Sequence, residues 1–70
     1  MDRMQKLLWA IELGSLKVER RDGVVRYRIW LGEEDVTNAI RVLRFDGLAI
    51  FGRPERDWFL QLTDMGRMKL

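Results

Sequence analysis

The sequence contains no cysteine and no histidine among its 70 residues. Without cysteine, the chain has neither disulfides nor thiolate ligands to stabilise so small a fold. Without histidine, it lacks the commonest general base and the commonest metal ligand of proteins. The only serine, Ser15, therefore has no imidazole to activate it as a nucleophile. These absences argue against an enzyme, and we expect no metal and no cofactor.

Long apolar runs are also missing. No segment approaches the roughly 20 apolar residues needed to cross a bilayer, and the first six residues lack the apolar stretch of a signal peptide. We therefore expect a cytoplasmic protein with no membrane partner. The composition, 47% hydrophobic and 34% charged with a net charge of +2, is typical of a folded chain. A chain of this length predicts one domain, residues 1–70, with a small core.

Residues 2–13 have the spacing of an amphipathic helix that ends before Gly14. Its apolar stripe is formed by Met4, Leu8 and Ile11, which recur at i, i+4 and i+7, with Leu7 beside them. This spacing predicts that one face of the helix packs on the core.

After Gly14 the hydrophobic period changes to two, on both sides of the dipeptide Asp22-Gly23. Asp-Gly is preferred in the two-residue type I′ turns of hairpins. Such a turn sets a register in which Lys17 is opposite Arg28. The apolar side chains then share one face, and the other face is basic, with Lys17, Arg26 and Arg28.

A second helix is predicted over about residues 34–46, because Val36, Ile40 and Leu43 recur at i, i+4 and i+7. We expect Ile40 and Leu43 to lie in the core. The acidic run 33–35 lies at the predicted start of this helix, where the helix dipole favours negative charge. A divalent cation is the alternative for this run, but adjacent carboxylates on a helix cap point in different directions.

Two apolar stretches, residues 48–51 and 58–63, flank a loop of residues 52–57 that is rich in turn formers and charge. They predict a second hairpin over residues 48–63, and the tail adds a final helical turn. The side chains that we expect to face inward are Leu48, Ile50, Leu60 and Leu62.

The second helix ends in the sequence DGLA, and the second hairpin closes on LTDMGR. With this order of elements, residues 33–67 resemble the winged helix-turn-helix domains of bacterial and archaeal transcription regulators. The resemblance implies that residues 34–46 are the recognition helix and that residues 48–63 are the wing. In that family a further helix precedes the recognition helix, whereas the β pattern here predicts a hairpin in its place. The expected fold is a small α+β domain, winged-helix-like, with the order helix, β-hairpin, helix, β-hairpin.

The resemblance implies a DNA-binding transcription regulator that binds double-stranded DNA. Arginine can read guanine and asparagine can read adenine in the major groove, so the residue types fit this function. The alternative is that these side chains are simply the solvated face of an amphipathic helix. The residues implied in DNA contacts are Thr37, Asn38, Arg41 and Arg44 of the recognition helix, Arg53 and Arg56 of the wing, and Lys17, Arg26 and Arg28 of the basic hairpin face.

A small protein-interaction module or inhibitor, with the same fold but a protein partner, is the alternative function. The chain has more large aromatic side chains than so small a core easily encloses, and aromatic residues with arginine dominate interface hot spots. A homodimer that buries some of these aromatics would fit either function. The aromatics concerned are Trp9, Trp30, Phe51, Trp58 and Phe59.

Overall fold

The structure is a computed structural model that describes residues 2–21, 26–52 and 59–70. Its described part is a small α+β domain with two antiparallel sheets, β1-β2-β3 and β4-β5. The predicted α+β class is confirmed, and the arrangement is compatible with a winged-helix-like domain. The elements are α1 (Arg3–Glu12), β1 (Lys17–Arg21), β2 (Arg26–Leu31), β3 (Glu34–Asp35), α2 (Thr37–Phe45), β4 (Ala49–Phe51), β5 (Leu60–Leu62) and α3 (Asp64–Met68).

The core lies where α1, β2 and α2 meet. Leu8, Ile29 and Ile40 contribute one fully buried side chain from each of these elements. Leu43 is also buried, so both predicted core positions of the second helix are confirmed. Within the ranges described above, no helix is long and apolar enough to span a bilayer.

Helix α1 begins at an N-cap, Asp2, whose carboxylate accepts a hydrogen bond from the Gln5 N–H at 2.8 Å. Gly14 follows the helix with φ +70°, the left-handed conformation that glycine adopts most readily. The predicted stripe needs one correction. Met4 is 41% exposed, whereas Leu7, Leu8 and Ile11 are buried as expected. The reason is that Met4 lies in the first turn, one turn from the part of α1 that packs on the core.

The register of the first hairpin differs from the prediction by two residues. Lys17 is opposite Trp30, and Glu19 is opposite Arg28, so the predicted pairing of Lys17 with Arg28 is wrong. Because the shift is an even number of residues, every side chain stays on its predicted face. The observed register aligns Val18 with Ile29 on the inward face and places Glu19 opposite Arg28, a pair of opposite charge, on the outer face. The predicted turn, Asp22-Gly23, lies outside the described residues.

The sequence predicted that the acidic run begins the second helix, but the structure places this run before the helix. Glu34 and Asp35 form β3 and pair with the end of β2, and Gly32 takes φ +62° between the two strands. Helix α2 therefore covers Thr37–Phe45, with Val36 as its N-cap, rather than residues 34–46. The backbone of Glu34 and Asp35 pairs with β2. Their backbone polar groups therefore have strand partners there, whereas the first N–H groups of a helix have none within the helix.

The second hairpin is confirmed, with Ala49 opposite Leu62 and Phe51 opposite Leu60. The prediction that Ile50 faces inward is wrong, because its side chain is 51% exposed. Strand β4 starts at Ala49, so its period of two buries Ala49 and turns Ile50 outward. The loop residues 53–58 lie outside the described residues, and the predicted final turn is α3.

Candidate nucleic-acid interface

The exposed face of α2 is a continuous stripe that runs along about two turns of the helix. Val36, Ile40 and Leu43 bury the opposite face, and this burial fixes which side of the helix meets solvent. The exposed residues recur at i, i+3, i+4 and i+7. We call this set the outer stripe: Asn38, Arg41, Val42 and Phe45.

A cluster of two arginines and two aromatic rings adjoins the outer stripe and shares Arg41 with it. We call it the arginine–aromatic cluster: Tyr27, Arg41, Arg44 and Phe51. The two rings meet edge to face, with centroids 5.1 Å apart. The Arg41 guanidinium lies over the Tyr27 ring at 5.6 Å from its centroid. The Arg44 guanidinium lies over the Phe51 ring at 4.4 Å, and its Nη1 donates a hydrogen bond to the Tyr27 hydroxyl at 2.7 Å.

These contacts hold two flexible side chains in place while leaving both arginines exposed. A guanidinium stacked on an aromatic face is attracted by the ring quadrupole. It has also lost part of its rotamer freedom before a ligand arrives, so less conformational entropy is lost on binding. The rings come from two different sheets, β2 and β4, so the cluster depends on the packing of the whole domain.

The same two arginines have no carboxylate within salt-bridge distance in the part of the chain that the structure describes. Three other arginines do form ion pairs there. These pairs are Arg3 with Glu34 at 2.8 Å, Arg28 with Asp35 at 3.3 Å, and Arg67 with Glu12 at 3.6 Å. No acidic side chain of residues 2–21, 26–52 and 59–70 therefore forms a salt bridge with these two positive charges at α2.

Thr37 is not available to a base, contrary to the role that the resemblance implies. It is 2% exposed, and its hydroxyl accepts a hydrogen bond from the Ile29 N–H at 2.9 Å. The same hydroxyl donates to Asp35 Oδ1 at 2.5 Å. Thr37 thus ties the start of α2 to β2, because a buried strand N–H needs an acceptor. Its role is to position the helix.

Asp35 completes this connection at the start of α2. The hydroxyl and the N–H of Thr37 both donate to its carboxylate, and these bonds, with the nearby charge of Arg28, lower the pKa of Asp35 below its usual value of 3.8. Partial burial opposes the shift. The carboxylate therefore caps the backbone of α2 from the preceding strand.

Acid should weaken this connection. The folded-state pKa of Asp35 is lowered, so its carboxylate stabilises the fold above the unfolded-state pKa, and the contribution is lost as pH falls through the folded-state pKa. We expect the urea midpoint of the wild type to fall below about pH 3.8 more steeply than that of Asp35→Asn. Parallel profiles of the two proteins would contradict the assignment.

The remaining DNA-contact candidates are not gathered at α2. Lys17 and Arg28 are exposed, but they lie on the opposite face of the first sheet from Ile29 and Tyr27, which face α2. Arg28 is also paired with Asp35. The side chain of Arg26 lies outside the described part of the structure, as do Arg53 and Arg56. Of the predicted residues, the structure brings together Asn38, Arg41 and Arg44.

The sequence reasoning missed four residues of this surface. Val42 is 58% and Phe45 91% exposed on the outer stripe, and helical spacing counted forward from Asn38 would have found both. Tyr27 and Phe51 support the arginines from two separate strands. No spacing along the chain relates these two rings, so only their packing identifies them.

A metal centre was the other possibility weighed for the acidic run. In the described ranges, no group of three or more carboxylates is close enough together to hold a metal ion. Two of the three acidic side chains form ion pairs with arginines instead, Glu34 with Arg3 and Asp35 with Arg28.

Comparison with known proteins leaves the function to be argued from this surface. No family model matches the sequence, and neither a curated protein nor a solved structure is significantly similar to the chain.

Proposed function

We propose that this chain is a DNA-binding transcription regulator of winged-helix type, with α2 as its recognition helix. The observation that carries the proposal is the state of Arg41 and Arg44. Both guanidiniums are exposed and held on aromatic rings, and neither has a carboxylate partner among the residues described. A polyanion is the partner that such a pair fits best.

The two arginines have different positions and so different expected roles. Arg41 belongs to the outer stripe, where a guanidinium can reach the O6 and N7 atoms of guanine. Asn38 lies one turn earlier on the same stripe and suits adenine. Arg44 lies at the side of the helix, bonded to the Tyr27 hydroxyl, and suits a phosphate at the edge of the groove.

The test is fluorescence anisotropy of a labelled random-sequence duplex over a series of salt concentrations. We expect binding that weakens as salt rises, because phosphate contacts release counterions. Arg44→Gln should weaken binding to all sequences and reduce the salt slope by about 1. Arg41→Gln should cost about 1 to 3 kcal/mol on a preferred site selected from the random pool.

Lys6→Gln is the matched control, since it removes one positive charge from an exposed position of α1 that belongs to none of the proposed DNA-contact residues. It should change affinity much less than Arg44→Gln does. Tyr27→Phe keeps the ring and removes only the hydroxyl, so its effect should lie between those two. If the wild type binds no tighter than about 10⁻⁴ M at low salt, DNA is not the partner.

A protein-interaction module is the second candidate function, and the apolar half of the outer stripe favours it. Phe45 is almost fully exposed, and exposed aromatic residues near arginine are common at protein interfaces. Trp9 and Phe59 are also partly exposed, so the predicted homodimer stays a prediction for sedimentation to test. Failure of the DNA-binding assay would favour this second function.

A further inference from the structure

Two apolar side chains occupy the middle and the end of the outer stripe. Val42 is 58% and Phe45 91% exposed. Across the residues that the structure describes, no side chain covers the Phe45 ring. Single exposed apolar residues are common, but these two share one helix face with Asn38 and Arg41. Any partner that approaches the arginine must therefore also meet an apolar surface.

Charge decides which partner fits this surface. Arg41 lies within the stripe and Arg44 beside it, and no described carboxylate lies within salt-bridge distance of either. The partner must then present negative charge and apolar groups to the same face of one helix. The major groove of a duplex does both, because phosphates line its edges and each thymine places a C5 methyl group in it.

The spacing of the two side chains lets both face one groove. Three residues of α-helix advance by about 4.5 Å along the axis, so Val42 and Phe45 lie less than one turn apart on the same exposed face. A helix that enters the groove by this face brings both side chains to the bases together. Apolar side chains are the usual contact for a thymine methyl group.

We infer that Val42 and Phe45 contact thymine methyl groups in the major groove, so that this chain prefers duplexes that carry those methyl groups. The inference rests on the proposed DNA-binding function and names the base feature that the outer stripe recognises. Both arginines favour a polyanion, Arg41 also suits guanine, and the two apolar residues add recognition of the thymine methyl groups.

Two duplexes of identical sequence test this inference, one containing thymine and the other deoxyuridine at every thymine position. Deoxyuridine pairs with adenine in the same way and lacks only the C5 methyl group. An alternating A·T duplex is used because every base pair carries one thymine methyl group. This duplex and its deoxyuridine counterpart are titrated by anisotropy at low salt. The wild type should bind the thymine duplex about fourfold more tightly for each methyl group that it covers.

Two variants separate the apolar contact from the charge. The double variant Val42→Ala/Phe45→Ala should bind both duplexes with equal affinity. Both side chains are exposed, so its urea midpoint should stay close to that of the wild type. Arg44→Gln is the matched control, since it removes a positive charge beside the stripe without removing an apolar group. It should weaken binding to both duplexes and preserve their ratio.

The possible results distinguish this inference from the proposed function. Equal binding of both duplexes by the wild type overturns the methyl contact and leaves DNA binding standing. A thymine preference that persists in the double variant overturns it as well. No binding to either duplex overturns both proposals. Sedimentation showing a wild-type dimer and a monomeric double variant would assign the stripe to a second copy of the chain and also overturn the inference.

Discussion

Leu43→Ala is expected to lower the free energy of unfolding by about 2 to 5 kcal/mol, the range observed when a buried leucine is truncated. Leu43 is 4% exposed and belongs to the core cluster that includes Ile40 and Leu48. A chain of this length has a total stability of about 4 to 10 kcal/mol. The substitution therefore removes a large part of that stability, and a loss of about 5 kcal/mol unfolds the domain if its total stability is near the lower end of that range. Urea denaturation followed by circular dichroism measures the change.

Val42→Ala is the matched control for this experiment. It truncates the neighbouring residue of the same helix, but that side chain is mostly exposed, so the midpoint should move little. The proposed DNA contacts lie on the exposed face of α2, and Leu43 lies on the buried face. Leu43→Ala should therefore reduce DNA binding only in proportion to the fraction of molecules that it unfolds. A midpoint equal to that of the wild type would place this face of α2 outside the core.

Gly66→Ala is expected to destabilise the protein by about 1 to 3 kcal/mol, as overpacking of a buried position does. Gly66 is buried in α3, and a Cβ atom built there overlaps the carbonyl oxygen of Leu48. That oxygen already accepts a hydrogen bond from the Thr63 N–H at 3.1 Å. Leu48 also donates its own N–H to the Leu43 carbonyl, so the backbone cannot move away without breaking contacts.

The sign of this effect is informative, because alanine favours a helix over glycine by about 1 kcal/mol. An exposed helical glycine would therefore be stabilised by the same change. Met65→Ala, at an exposed neighbouring position of α3, is the control and should shift the midpoint little. A Gly66→Ala protein that is more stable than the wild type would show that α3 does not approach Leu48 closely.

The LTDMGR sequence has a structural explanation in these contacts. The Thr63 hydroxyl accepts a hydrogen bond from the Gly66 N–H at 3.1 Å and donates one to the Gly47 carbonyl at 2.5 Å. Thr63 therefore caps α3 and also ties it to the end of α2. Gly66 lets the two segments approach. The element that closes the second hairpin thus fixes the end of the proposed recognition helix.

Most of the fold follows from local patterns along the chain. A period near 3.6 identified both long helices, and Ile40 and Leu43 followed from the stripe of α2. A period of two identified the first hairpin, and two apolar stretches around a loop of turn formers identified the second. Registers and boundaries did not follow in the same way. The dipeptide Asp22-Gly23 is a local turn signal, whereas the observed register also aligns Val18 with Ile29 and adds β3 to the edge of β2. Strand pairing joins residues that are distant along the chain, so a local sequence signal does not determine it.

In the candidate site, too, the sequence predicts some residues and the tertiary packing decides the others. Asn38, Arg41 and Arg44 could be named in advance, because helical spacing and residue type together place polar groups on the solvent side of an amphipathic helix. The same spacing also put Thr37 on that side. Its burial is set by another segment, since the Ile29 N–H in β2 needs an acceptor and the Thr37 hydroxyl supplies it. The fixed geometry of the two arginines likewise depends on rings from β2 and β4, which only the packing of both sheets against α2 brings together.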